Sequence, residues 1–454
     1  MSTWFHHAIL YHLYAPAACG APRQGDPSGA VTPRLGSLHP WLDHARALGA
    51  DALLLGPVCE SMSHGYDTVD LFRVDRRLGD DRTMAALVEA AHSRGLRVLL
   101  DAVFGHVGRA FPAFIDLRER GPESAFTGWF RGLDFGRPGP LGERFSYDCW
   151  RGAPELARLE TRNPAVRDHL LAAVDAWVSR WGIDGLRVDA ADHVDGSFLS
   201  ALRAHCDARH PGLALFGEVV HGDYRHFAGP GRLHGVTDYE LHKGLWSSLA
   251  DGNLFELAYG LNRQFGPDGL YRGLPLVQFV DNHDVDRVVE RLGERRLLFP
   301  LYCLLFTIPG VPAIYQGSEW GIRGRRTPTD DTALRPTLDL AKQTREAAAD
   351  LPAAIGRLAR LRQALPALAD GGYRQLHVAP QQLAFLRHRG PESVVVAVNA
   401  APQEATLELR LPGLASATLV DALDPPTRFP VRDGVVRLDV PGGWVRVMSL
   451  ADPV

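Results

Sequence analysis

Gly182-Ile183-Asp184-Gly185-Leu186-Arg187-Val188-Asp189 reads as a β-strand that ends in a carboxylate. Period-2 alternation puts Leu186 and Val188 on one face and Gly185, Arg187 and Asp189 on the other. The apolar face suits packing beneath helices. The other face carries an arginine two residues before an aspartate, both pointing the same way. A guanidinium does not lose its proton in a protein, so the pair predicts an ionised, oriented Asp189. A carboxylate nucleophile needs that arrangement. A structural ion pair at a strand terminus is the competing reading, and the rest of the chain decides between them.

On both sides of this stretch, strands and helices alternate. Residues 8–15 (AILYHLYA) form a first strand, followed by a Gly/Pro-rich loop to about residue 40 and a short amphipathic helix over 41–48. Residues 52–55 and 97–103 are continuous apolar runs, as in strands buried on both faces. Between them lies a loop with Ser63-His64-Gly65-Tyr66-Asp67, and Asp80 or Asp81 caps a helix that stops near Gly95. Residues 107–162 lose the period and hold Pro, Gly and aromatics, an excursion too long for an ordinary loop. Asn163-Pro164 then opens a helix through Trp181. Further strands are expected over 213–216, 236–239, 276–280 and 311–315, with Pro312 tolerated near a strand's start. About eight alternations over roughly 365 residues fit a (β/α)8 TIM barrel better than an open sheet. After Ala369-Asp370-Gly371-Gly372 the texture changes to short alternating runs with Pro/Gly turns, an antiparallel β-sandwich. The expected division is residues 1–106 and 163–370 as two parts of the catalytic barrel, 107–162 as an inserted subdomain, and 371–454 as the sandwich.

The 454-residue chain is 46% hydrophobic and 22% charged, enough for a large core and a smaller unit besides. A net charge of -4 gives no electrostatic case for a nucleic acid or a membrane as partner. Cys19, Cys59, Cys149, Cys206 and Cys303 are scattered and suggest neither a disulfide framework nor spaced metal ligands. No stretch approaches the roughly 18 apolar residues of a membrane span. Met1-Ser2-Thr3-Trp4-Phe5-His6-His7 has no basic n-region and no long apolar run, so a cytoplasmic protein without a signal peptide is expected.

Polar residues cluster at strand C-termini: Asp101 and His106, Arg187 and Asp189, Glu218, His283 and Asp284. In a barrel those ends share one face, where active sites sit. With these residues the chain resembles the alpha-amylase family of glycoside hydrolases, over about residues 8–450. The motifs are Asp101-Ala102-Val103-Phe104-Gly105-His106 at strand 3, Gly185 through His193 at strand 4, Phe216-Gly217-Glu218-Val219 at strand 5, and Phe279-Val280-Asp281-Asn282-His283-Asp284 at strand 7. Gly65-Tyr66-Asp67 and the strand-8 stretch Gly310 through Gly317 also fit.

The resemblance implies a retaining hydrolase of α-glucosidic bonds, with Asp189 as nucleophile, Glu218 as acid and base, and Asp284 as the third carboxylate gripping sugar hydroxyls. The chemistry divides the first two roles: the glycosidic oxygen needs a proton to leave, and the oxocarbenium-like centre needs a carboxylate beneath it. Glu218 is then expected in a less polar setting than Asp189. By the same resemblance His106 and His283 bind hydroxyls of one sugar, Tyr66 and Asp67 lie beneath and beside it, Arg187 orients Asp189, and His193 faces the acceptor. Trp129 and Phe130, in the excursion, read either as a sugar platform or, with at least equal weight, as ordinary packing. Where many family members carry a calcium-binding Asn, this chain has Gly105, so neither metal nor cofactor is expected. Ala190 leaves the α-1,4 or α-1,6 preference open. The chain resembles bacterial maltodextrin- and cyclomaltodextrin-degrading members more than secreted amylases, and the expected partner is an α-glucan oligosaccharide. A transglycosylase or isomerase on the same machinery is the alternative, and a non-catalytic binding relative the more distant one. Oligomeric state is not legible.

Overall fold

Eight parallel strands surround the centre of the molecule: β1 (Leu10–Leu13), β2 (Ala52–Leu55), β3 (Arg97–Ala102), β4 (Gly185–Val188), β5 (Ala214–Gly217), β6 (Gly235–Val236), β7 (Val277–Phe279) and β8 (Val311–Tyr315). In the computed structural model they pair in the order β6-β5-β4-β3-β2-β1-β8-β7. The remaining gap is bridged by a parallel contact between Thr237 and Val277, where the Asp238 N–H donates to the Val277 carbonyl at 3.0 Å. The ring is the expected (β/α)8 barrel. The structure describes residues 4–450 except 27, 347 and 349; residues 1–3 and 451–454, at the two ends of the expected division and within the expected leaderless terminus, lie outside the described residues.

The strand sequences explain the two-layered burial. Leu10, Leu54, Leu99, Phe216 and Phe279 point inward and fill the barrel floor together with Phe5. Their neighbours, among them Tyr11, Leu53, Val98, Leu186 and Val188, point outward under the helices. β4 keeps the predicted alternation. At Gly185 a Cβ would meet the Leu99 side chain at 3.0 Å and the Ala214 carbonyl oxygen at 2.8 Å, so the inner face of β4 admits only glycine there.

The main outer helices are α1 (His39–Ala47), α2 (Asp81–Ser93), α3 (Pro164–Trp181), α4 (Gly196–Arg209), α5 (Tyr239–Ala250), α6 (Leu254–Phe265), α7 (Leu298–Thr307) and α8 (Asp350–Ala364). Asp80 caps α2 by accepting the Thr83 N–H at 2.8 Å, and Asn163 caps α3 by accepting the Ala165 N–H at 2.9 Å. Each such cap contributes about 1 kcal/mol. The first strand is shorter than expected: Ala15–Ala18 turns helical, since Pro16 has no N–H for a ladder and suits a first helical turn.

Residues 107–162 leave the barrel after β3. A three-stranded antiparallel sheet (His106–Gly108, Cys149–Trp150, Ala153–Arg158) and a helix (Pro112–Arg120) enclose Phe114, Phe130, Phe145 and Tyr147. Phe130 is buried here, and Trp129 packs on Phe111, Phe126 and His169. Of the two readings the sequence allows for this pair, these contacts favour ordinary packing over a sugar platform.

The C-terminal part holds eight antiparallel strands: β9 (Gly372–Val378), β10 (Gln382–Arg389), β11 (Glu392–Asn399), β12 (Ala405–Arg410), β13 (Ser416–Asp421), β14 (Arg428–Arg432), β15 (Val435–Val440) and β16 (Trp444–Leu450). Their order is β9-β10-β11-β16-β13-β14-β15-β12, and they fold over a core of Leu386, Val395, Leu407, Leu409 and Leu438 as the expected sandwich. Alternate residues such as Phe385, Val396 and Val447 join the barrel's outer core. Two buried guanidiniums converge on the end of α7, Arg387 from the sandwich and Arg362 from α8 of the barrel. Arg387 donates to the Thr307 carbonyl at 2.6 Å and Arg362 to the Phe306 carbonyl at 2.8 Å, satisfying the otherwise unpaired end of α7. Among the described residues no helix is long and apolar enough to cross a membrane.

Candidate active site

Asp189 and Glu218 follow β4 and β5 directly and stand level with one another. Gly217 pairs with Val188, and the Glu218 N–H donates to the Val188 carbonyl at 2.9 Å. Adjacent strands lie about 4.8 Å apart, so two side chains leaving the same rung reach into the same bowl. Arg187 lies between three carboxylates. One guanidinium nitrogen, Nη1, is 2.5 Å from Asp101 Oδ1 and 3.2 Å from Asp189 Oδ1, while Nη2 is 2.9 Å from Glu218 Oε2. The arginine is buried, as are all three partners.

Glu218 has two further donors. Tyr239 Oη donates to Oε1 at 3.0 Å, and the Ala190 N–H donates to Oε2 at 3.1 Å. That N–H is aimed by a left-handed backbone at Ala190 (φ 44°, ψ 47°), a costly conformation for a residue with a Cβ. The less polar setting expected for Glu218 is therefore absent: β4, the turn that follows it and the start of α5 each send it a hydrogen-bond donor.

On the opposite wall, Asp284 lies 3.0 Å from His283 Nε2 through Oδ2 and accepts from Arg335 Nη2 at 2.7 Å through Oδ1. Tyr66 Oη donates to Asp101 Oδ2 at 2.8 Å and lies 2.5 Å from His283 Nε2, with the two rings stacked. Arg335 also donates to the His283 carbonyl and covers the Tyr14 and Tyr66 rings. Asp101, Asp189, Glu218 and Asp284 are thus gathered around two guanidiniums.

Above them opens a cavity of about 430 Å³ whose walls include Tyr66, His106, Trp150, Asp189, Glu218 and Asp284. Neither ring nitrogen of His106 is held by a well-formed hydrogen bond to protein, and its ring stacks on Trp150. Burial pushes the His106 imidazole down to about 4, so it is neutral at pH 7. His193 sits at the rim, its side chain 35% exposed, 2.7 Å from Asp192 and edge-on to Trp150. Asp67 points elsewhere. Its carboxylate accepts from the Ser63 N–H and hydroxyl at 3.1 and 2.7 Å, closing the loop that presents Tyr66. The Gly105 carbonyl accepts the Leu159 N–H at 3.1 Å, tying the excursion back to the end of β3.

The electrostatics depart from the simple Arg187–Asp189 pair. Burial pushes the Asp189 carboxyl well above the ordinary range; Arg187 opposes this, and Asp101, Glu218 and Asp284 add to it. Arg187 is shared three ways, with Asp101 nearest, which is why it does not by itself keep Asp189 ionised. Burial also raises Asp284, but His283, Arg335 and Arg187 outweigh it and hold that carboxyl well below the ordinary range. The site titrates as a group rather than as separate residues. A raised Asp189 loses its proton only as pH rises through the raised value, so a nucleophilic role requires activity to fall on acidification earlier than for an ordinary aspartate. The acid limb of kcat/KM is expected at a higher pH than the titration of a free aspartate at about 3.9. A limb at or below the value of a free aspartate would contradict this reading.

Several residues here were not picked out from sequence as parts of the site. Tyr239 and Trp150 come from elements whose aromatics look like packing, and Arg335 from an aperiodic loop 51 residues beyond its partner Asp284. Only Asn282 left a signal: it lies inside the strand-7 motif and donates to Tyr239 Oη at 3.1 Å.

Comparison with known proteins agrees with this arrangement. Residues 34–355 match the alpha amylase catalytic domain. A cyclomaltodextrinase of a Bacillus species is 30% identical over 423 residues, covering 87% of this chain and 73% of the relative. A solved cyclomaltodextrinase superposes with a TM-score of 0.87 at 27% identity, covering 99% of this chain and 79% of that one. The cyclic alpha-maltosyl-(1-->6)-maltose hydrolase of Arthrobacter globiformis superposes with a TM-score of 0.82 at 25% identity, covering 98% and 99% of the two chains. With its barrel, its strand-end carboxylates and these likenesses, the chain belongs to the alpha-amylase family of glycoside hydrolases.

Proposed function

We propose that this enzyme hydrolyses α-glucosidic bonds in short maltodextrin-like oligosaccharides, linear or cyclic, through a covalent glycosyl-enzyme on Asp189. One observation carries the reading: a single guanidinium reaches Asp189 with one nitrogen and Glu218 with the other, at 3.2 and 2.9 Å, on adjacent strand ends under one cavity. Asp189 Oδ attacks the anomeric carbon while Glu218 gives its proton to the departing glycosidic oxygen. The Glu218 carboxylate then takes a proton from water, whose oxygen displaces Asp189. Asp284 and the neutral His106, with His283, hold the hydroxyls of the distorted ring. Trp150 and His193 line the side from which the acceptor enters. The names of the similar enzymes support an α-glucan substrate. The five cysteines are all unpaired, which suits the reducing cytoplasm.

Two displacements, each inverting, give net retention. They require the carboxyl groups to stand about 5–5.5 Å apart, whereas direct attack by water needs about 6.5–9.5 Å. Adjacent strand ends bridged by one guanidinium favour the shorter separation. Proton NMR of a fresh digest is expected to show the α-anomer first, before mutarotation. The β-anomer appearing first would overturn the covalent mechanism. Maltose, isomaltose, maltodextrins and cyclodextrins run in parallel give the linkage and chain length. Products longer than the substrate, dominating from the earliest times, would make the enzyme a transglycosylase instead.

A further inference from the structure

A second cluster of ionisable side chains lies at the other end of the barrel. Asp175 projects from α3, His205 from α4, and His210 from the residue immediately after α4, where the chain turns to enter β5 from below. His205 Nε2 and His210 Nε2 converge on the same oxygen, Asp175 Oδ1, at 2.7 and 2.6 Å. The three ligand atoms all lie within 4.8 Å of one another. The side chains are 26, 19 and 15% exposed in the order Asp175, His205, His210, so the cluster is enclosed by protein yet open on one side. The other carboxylate oxygen is held by Arg209 Nε at 3.2 Å, which orients the group from outside.

We propose that Asp175, His205 and His210 form a binding site for a divalent transition-metal cation, Zn²⁺ foremost, that clamps α3 to the end of α4. Two imidazole nitrogens and one carboxylate oxygen suit Zn²⁺, Co²⁺ or Ni²⁺, whereas Ca²⁺ and Mg²⁺ take sets made of oxygen. With no metal bound, both Nε2 atoms carry the protons that bridge to Asp175. A cation takes the two Nε2 lone pairs and Asp175 Oδ1 as three ligand atoms, and each imidazole then keeps its N–H on Nδ1 in place of Nε2. Zinc–ligand distances of about 2.0–2.2 Å require the two N···O separations to open by under about 1 Å, within the range of side-chain torsions. The open side leaves room for water to complete the coordination. The sequence suggests no metal anywhere in the chain, an expectation from which the Asp175 site departs.

A cation bound to the native state alone raises stability by mass action and leaves a distant active site untouched. The test uses the untagged full-length protein, stripped with a chelator and titrated with ZnCl₂ by calorimetry at neutral pH. The Tm is recorded with and without metal, and Co²⁺ binding is followed by visible absorption. The expected result is saturable binding of one cation per chain, a Tm raised by several degrees, and unchanged turnover of maltodextrin. Asp175→Asn and His205→Gln are close in shape to the natural residues, and each is expected to weaken binding by at least about tenfold. His92→Gln, at the separate His92–Asp184 pair, is expected to bind as the natural chain does. Absence of one-to-one binding, its persistence when Asp175 and His205 are both replaced, or equal weakening by His92→Gln would overturn the proposal.

Discussion

Asp189→Asn is expected to lower kcat/KM for maltodextrin hydrolysis by at least about 10⁴-fold, roughly 5.5 kcal/mol of transition-state stabilisation. The asparagine keeps the shape of the side chain, and its carbonyl oxygen can still accept from Arg187 Nη1, now 3.2 Å from Asp189 Oδ1. It cannot form the acylal bond to the sugar, and no other carboxyl is placed to replace it: Asp101 is turned away to Arg187 and Tyr66, and Asp284 is held by His283 and Arg335. The same substitution has an opposite expected effect on stability. Burial and three neighbouring carboxyls raise Asp189 above its ordinary range, so its ionised form is disfavoured in the folded protein relative to the unfolded chain. Above the raised value that disfavour counts against the folded state, and a neutral amide removes it. The Tm of the variant near neutral pH is therefore expected to equal or exceed that of the natural chain. Turnover close to natural in a contamination-free preparation would remove Asp189 from the chemistry. A lost near-UV signal with a much lower Tm would instead make it a structural residue.

The parts of this molecule that sequence foretold are those fixed by short-range pattern. Continuous apolar runs become strands buried on both faces, and each delivers its terminal polar residue to one end of the barrel. Asp189, Glu218 and His283 could be placed because a strand with period 2 leaves little choice of where its last side chain points. Asp67 shows the limit of that logic. It sits in a loop, next to Tyr66, and its direction depends on Ser63 rather than on any period. Arg335 and Trp150 show another limit: one reaches the cavity from an aperiodic loop and the other from a two-residue strand of the excursion, and the role of each depends on contacts formed only when distant parts of the chain meet. The protonation pattern was the least legible. Two residues of β4 suggest a simple ion pair, but the pair sits among Asp101, Glu218, Asp284 and Tyr66, which arrive from four other segments. Burial and repulsion among them outweigh the local attraction of Arg187.

Glu218→Gln is expected to slow hydrolysis of natural oligosaccharides by about a thousandfold, within the range attributed to a general acid–base group. The amide can sit in the space of the carboxylate with its oxygen at Oε2, where Arg187 Nη2 and the Ala190 N–H donate at 2.9 and 3.1 Å. Its NH₂ group then faces Tyr239 Oη, which can accept. The fold and the sugar-binding walls are kept, and only the transferable proton is lost. This makes the effect depend on the leaving group. A maltosyl alcohol leaving group needs a proton to depart, whereas the fluoride of an α-maltosyl fluoride leaves without one. Glycosylation by the fluoride should therefore be slowed far less. The second step has no such relief, because water still needs a base. The glycosyl ester on Asp189 should accumulate, seen as a burst of fluoride of one equivalent per chain and as a mass increase of the intact protein. Azide, which attacks without base assistance, should release it as the α-glycosyl azide and restore turnover. Equal slowing of fluoride and natural substrate, with no burst and no azide rescue, would mean that Glu218 does not carry the proton, and the acid would have to be sought elsewhere in the carboxyl cluster around Arg187.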